Sequence, residues 1–162
     1  MDLPPKADPR KTLQADLLER LLRDFPADER SGEDFRTYFH LCLGRNEPER
    51  ASAALDAYAA KIGLPAWEAD EYRANGATFG QNWEAARVHF QRIADNPEAP
   101  EWKRVNGQFW VAYSVAQRQD YPLARSLYQA ILDRHGETAD PYLLGIVGGA
   151  RDQIRRIDGM GK

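Results

Sequence analysis

Apolar positions recur three to four residues apart in eight separate blocks along the chain, each bounded by a glycine, a proline or a capping residue. The first covers residues 12–25, where Leu13, Leu17, Leu18, Leu21, Leu22 and Phe25 line one side until Pro26 stops the helix. Ser31 is the expected N-cap of a second helix, with Asp34 in its first turn and Phe35, Tyr38, Phe39, Leu41 and Cys42 as its apolar side; Gly44 closes it. Asn46 is read as the cap of a third, with Pro48 in the first turn, a stripe of Ala51, Ala54, Leu55, Tyr58 and Ile62, and Gly63 as the stop.

The same grammar continues. Pro65-Ala66-Trp67 opens a helix running to about Phe79, and Gly80 breaks it. Asn82 caps a helix with Trp83, Ala86, Phe90 and Ile93 inside, ended by Asn96-Pro97. Pro100-Glu101-Trp102 opens the sixth, and Asp120 caps the seventh, with Tyr121, Ala124, Leu127, Tyr128, Ile131 and Leu132 inside and Gly136 terminating. Asp140-Pro141-Tyr142 opens the eighth, which ends near Asp158-Gly159. Alternating β-branched runs between turns are missing, so the expected class is all-α with about eight helices. Residues 1–10, rich in proline and charge, are expected to be frayed, and residues 11–158 to form a single domain.

Three blocks repeat one another. Residues 53–62 read AALDAYAAKI, residues 85–94 AARVHFQRIA and residues 123–132 LARSLYQAIL. Each pairs a small residue with an aromatic one turn later: Ala54 with Tyr58, Ala86 with Phe90, Ala124 with Tyr128, at spacings of 32 and 38 residues. The turns agree too, Gln81-Asn82-Trp83 against Gln119-Asp120-Tyr121, as do the openings Pro65-x-Trp67 and Pro100-x-Trp102. Close antiparallel crossing needs a small side chain, here Ala86 or Ala124 opposite Ala74 or Ala112, and the ring a turn later fills the wedge toward the next pair.

On these residues the chain resembles the tetratricopeptide repeat (TPR) family, whose units pair two helices in about 34 residues. The resemblance spans roughly residues 32–135 and includes Pro97 after the fifth helix. It departs from the family where the expected Leu-Gly pair reads Arg73-Ala74 and Val111-Ala112, and in the first unit, where Asn46 stands eight residues before Ala54 rather than four. It implies antiparallel hairpins stacked as an α-solenoid with the last helix as a cap. It further implies a concave groove on the first helix of each pair. Groove positions carried over from the family are Glu68, Glu71, Asn75 and Thr78, then Asn106, Phe109, Tyr113 and Ala116, with Arg36 and His40 in the first unit. Phe109 and Tyr113 fit an ordinary core as well as a groove.

Composition narrows the chemistry. With 162 residues, 43% hydrophobic and 29% charged, the chain can bury a core without staples. A net charge of −3 does not suit a general phosphate-backbone binder, so nucleic acid is not the expected partner. No run approaches the roughly 20 apolar residues of a membrane span. The opening residues lack the apolar core of a signal peptide, which leaves the cytoplasm as the expected location. Cys42 is the only cysteine. His40 and Cys42, two apart on a helix, face different directions, and no histidine pair or carboxylate–histidine cluster has ligand spacing for zinc. Neither a cofactor nor a metal is expected. Glu68, Asp70 and Glu71 crowd a helix N-terminus, where they suit the helix dipole or an acidic contact patch; Arg151, Arg155 and Arg156 lie near the chain end, where they complement a helix C-terminus, and Arg151 and Arg155 share a face that could hold a phosphate or carboxylate. Gly145, Gly148 and Gly149 lack the strand and Lys-Ser/Thr of a phosphate loop and read as a close helix contact, against a neighbouring helix or another subunit.

The expected function is a non-enzymatic interaction module (scaffold, adaptor or chaperone-like) that takes a peptide or partner helix in its groove. A second reading is a self-associating structural protein, a homodimer through its terminal helices. A remote third is a small hydrolase or transferase using His40 and Cys42.

Overall fold

A computed structural model describes residues 29–160 together with residues 16, 17, 19 and 20. The expected frayed segment 1–10 lies outside the described residues, and of the helix expected over 12–25 the four described positions are helical. The rest forms seven helices: α1 (Glu29–Gly44), α2 (Pro48–Ile62), α3 (Ala66–Phe79), α4 (Trp83–Asp95), α5 (Glu101–Gln117), α6 (Tyr121–His135) and α7 (Pro141–Met160). No strand occurs among the described residues. They fall into two compact units, one ending at Pro65 and the other beginning at Ala66.

In the first unit α1 packs on α2. Phe35, Tyr38, Phe39, Cys42 and Leu43 are buried with Ala51 and Leu55. The rings of Phe35 and Tyr58 stack with centroids 4.2 Å apart. Ser31 lies inside α1 rather than capping it. Asn46 does not cap α2. It takes a left-handed conformation at φ 60°, Glu47 becomes the N-cap, and Pro48 fills the first helical position, where a missing N–H costs nothing.

The turn before α2 recurs before α4 and α6. Asn46, Gln81 and Gln119 have φ of 60°, 55° and 65° and each directly precedes an N-cap: Glu47, Asn82 or Asp120. In all three turns the cap's N–H donates five residues back, to Cys42, Ala77 and Val115 carbonyls at 2.9, 2.8 and 3.3 Å. Four residues after each cap stands a buried alanine, Ala51, Ala86 or Ala124, and four further a buried large side chain, Leu55, Phe90 or Tyr128. The first unit's counterpart of Ala86/Phe90 is therefore Ala51/Leu55, not Ala54/Tyr58.

In the second unit successive helices run antiparallel. Ala74 of α3 meets Ala86 of α4 in a cluster with Phe90, Ile93 and Val111, all nearly water-free. Alanine at the crossing lets the backbones approach. The α4–α5 crossing is closer still, because Gly107 sits against the backbone of Phe90 and Ala94. A larger cluster joins α5, α6 and α7 through Val105, Ala112, Val115, Ala124, Tyr128, Ile131, Leu143, Ala150 and Ile154. Arg125 at the start of α6 pairs with Asp158 at the end of α7, 2.7 Å apart, as antiparallel helices require.

Candidate binding face

Side-chain contacts set α3, α5 and α7 side by side in the same direction. Glu71 of α3 takes an ion pair from Lys103 of α5, 2.6 Å at Oε2. The Lys103 ammonium also lies over the rings of Trp67 (5.8 Å) and Trp102 (4.6 Å). Trp102 in turn stacks on Tyr142 of α7 at 5.8 Å, and Gly149 of α7 sits against the ring edge of Phe109. The result is one face built from the first-turn aromatics Trp67, Trp102 and Tyr142 and the residues that follow them at helical spacing.

Of the residues expected to line a groove, Glu68, Glu71, Asn75 and Thr78 lie on α3 and Asn106, Phe109, Tyr113 and Ala116 on α5, and the contacts just described involve Glu71 and Phe109. Glu71 is committed to Lys103, and the Thr78 hydroxyl donates to the Ala74 carbonyl at 2.9 Å. Phe109 belongs to the floor: its ring contacts Tyr128 at 5.3 Å and Trp110 at 5.9 Å. Tyr113 leans on Trp83 and Trp110 at 5.8 and 5.1 Å. Asn75 is exposed and Asn106 half-buried, and among the described residues neither amide has a hydrogen-bond partner. Asp70, beside Glu68 and Glu71 in sequence, is turned inward instead, with His89 Nδ1 2.8 Å from its carboxylate, and so ties α3 to α4.

Arg36 and His40 belong to the first unit, on the outer side of α1, and both are exposed. Counted from the left-handed turns, Arg36 is level with Glu71 and Phe109, and His40 with Asn75 and Tyr113. His40 turns its ring edge-on to Phe39, whereas Cys42 is fully buried, and desolvation pushes its thiol up from the ordinary cysteine value. The two do not form a nucleophile and base. Elsewhere in this unit Arg50 binds Glu19 and Asp16, and the Tyr38 hydroxyl donates to Glu19 at 3.3 Å, so that the guanidinium holds the Glu19 carboxyl below its usual range.

Sequence reasoning missed Trp67, Lys103, Trp102 and Tyr142 as face residues, although the repeated proline–aromatic openings were the signal. No group of His, Cys, Asp and Glu among the described residues could hold a metal ion, and no described helix is long and apolar enough to cross a membrane. No family model, no curated protein and no solved structure matches the chain.

Proposed function

We propose that the second unit is a stack of TPR-like helical hairpins and that the face of α3, α5 and α7 binds an extended segment of a partner protein. The single observation that carries the reading is the pair of unpartnered amides, Asn75 and Asn106, on adjacent parallel helices beside a row of half-exposed rings. An amide left without an internal partner offers a donor and an acceptor to a peptide backbone, and neighbouring rings supply apolar contact area. The thrice-repeated left-handed turn, with its alanine and large side chain at fixed distance, supports the hairpin repeat.

The test is a selection of twelve-residue displayed peptides on the whole chain, followed by affinity measurement of the winners by fluorescence polarisation. Replacing Asn75 and Asn106 together by alanine is expected to weaken binding about tenfold, the scale of one or two lost hydrogen bonds. Equal affinity for the double variant would overturn the reading.

Self-association is the second reading, favoured by a separate observation. On the side of α7 away from Trp102, Leu144 is exposed, and a Cβ added at Gly148 would meet nothing. A dimer by light scattering that dissociates on changing Gly148 to a larger residue, with no peptide enriched, would favour this reading over the first.

A further inference from the structure

The phenol of Tyr128 is fully buried, and its hydroxyl has no hydrogen-bond partner. A buried hydroxyl left without a partner is destabilising, so its surroundings matter. Tyr128 reaches from α6 to the seam between α5 and α7, where its ring meets Phe109, and Phe109 is covered by Gly149. The seam has a fixed register. Trp102 meets Tyr142 and Phe109 meets Gly149, each pair 40 residues apart. One turn on, the same register sets Tyr113 level with Gln153 and the small Ala116 level with Arg156. Tyr113 and Arg156 are also the charged or ionisable groups that act on the Tyr128 phenol.

Each donor in this layer lacks a partner among the described residues. Of the three arginines in α7, Arg151 donates to the Gly136 carbonyl and Arg155 pairs with Asp152, whereas Arg156 has neither kind of contact. The Tyr113 hydroxyl and the Gln153 amide likewise have no hydrogen bond. By this register two phenols, an amide and a guanidinium fall in one layer, and none of their donors is taken up among the described residues. A cation and neutral donors around one point select an anion, and the guanidinium fork matches a planar carboxylate.

We infer that the layer formed by Tyr113, Tyr128, Gln153 and Arg156 is a subsite for a carboxylate of the bound segment, at the end of the face far from Trp102 and Tyr142. The inference rests on the peptide-binding reading and gives it a chemistry: the partner is acidic where it crosses the C-terminal halves of α5 and α7.

The experiment follows the side-chain N–H signals of Arg156 and Gln153 in the ¹⁵N-labelled whole chain by NMR. The probes are four: an acetylated, amidated peptide of six glutamates; the matching six-glutamine peptide; six glutamines with a free terminal carboxylate; and inorganic phosphate. The glutamate peptide is expected to shift both signals saturably and the capped glutamine peptide not at all. Arg156→Gln is expected to weaken the glutamate peptide about tenfold and Tyr128→Phe about threefold. A response to the free-carboxylate glutamines but not to the capped glutamates assigns the carboxylate to a chain end and keeps the subsite. Silence of both signals with every probe, or unchanged affinity in both variants, overturns it. Selected peptides that bind through Asn75 and Asn106 without any acidic preference overturn the subsite alone. Glutamate peptide or phosphate binding that depends on Arg156 but not on Asn75 and Asn106 supports an anion site and removes the peptide groove.

Discussion

A Cβ placed on Gly107 would stand 2.8 Å from the carbonyl oxygen of Phe90, closer than side-chain carbons approach in folded proteins. The neighbour is backbone, which cannot swing away, so α4 and α5 would have to separate. Glycine within a helix costs about 1 kcal/mol relative to alanine, so a helix is normally stabilised by the change. Here the clash wins. Gly107→Ala is expected to lower the unfolding free energy by about 1–3 kcal/mol in urea titration. Gly148→Ala, where nothing lies within 4 Å, is expected to raise it by up to about 1 kcal/mol. A Gly107→Ala chain as stable as the parent, or more so, would refute the close crossing.

Gln81 and Gln119 hold a left-handed backbone that costs a residue with a Cβ about 1–2 kcal/mol. Gln119→Gly and Gln81→Gly should therefore each stabilise the second unit, by about 0.5–1 kcal/mol once glycine's greater freedom in the unfolded chain is deducted. Asn46→Gly should change little, because asparagine tolerates this conformation. Differential scanning calorimetry of the three variants checks this order, and a loss of stability in Gln119→Gly would contradict the turn geometry.

The helices were legible because glycine, proline and capping residues punctuate them chemically. The register of the first turn was not. Asparagine's short polar side chain suits an N-cap and a left-handed residue equally, and Asn46 was read as the first while serving as the second. Pro48 held the resolving clue, since a proline at the first helical position puts the cap at Glu47. The shift moves the small residue from Ala54 to Ala51 and the wedge from Tyr58 to Leu55. On the face, Asn75 and Asn106 could be placed from one helix alone. Phe109 could not, since its burial depends on Tyr128 and Gly149 from two other helices. Arg156 is explained from its own helix end by the dipole, and only the register set by Phe109 and Gly149 brings it level with Ala116 of α5.

Cys42 is expected to be inert while the fold persists. Its thiol is buried and pushed up from the ordinary 9.0 by desolvation, which outweighs the help from Tyr38 and Arg50. The folded state holds the proton more tightly than the unfolded one. The stability linked to this group is thus whole below about pH 9 and is lost as pH rises toward the higher folded value. A thiol-exchange reagent at pH 7.5 should react more than about a hundredfold faster in urea than in buffer, since the thiolate is the nucleophile and burial denies both charge and access. Reaction of the native chain at the rate of a free cysteine would show an accessible thiol and reopen a role for it.

Tyr128→Phe separates a packing role from a binding role because the two predict opposite signs. As packing, the ring fills the wedge between α5, α6 and α7, and phenylalanine keeps that contact with Phe109. Deleting a buried hydroxyl that has no partner removes a desolvation cost, so stability should hold or rise by up to about 1 kcal/mol. As a ligand donor, the same hydroxyl is lost to an acidic peptide, and affinity should fall. A variant that is more stable in urea yet binds the glutamate peptide more weakly is the expected result. If stability falls by about 1 kcal/mol instead, the hydroxyl is already satisfied in the free protein, by an ordered water, and the carboxylate would have to displace it.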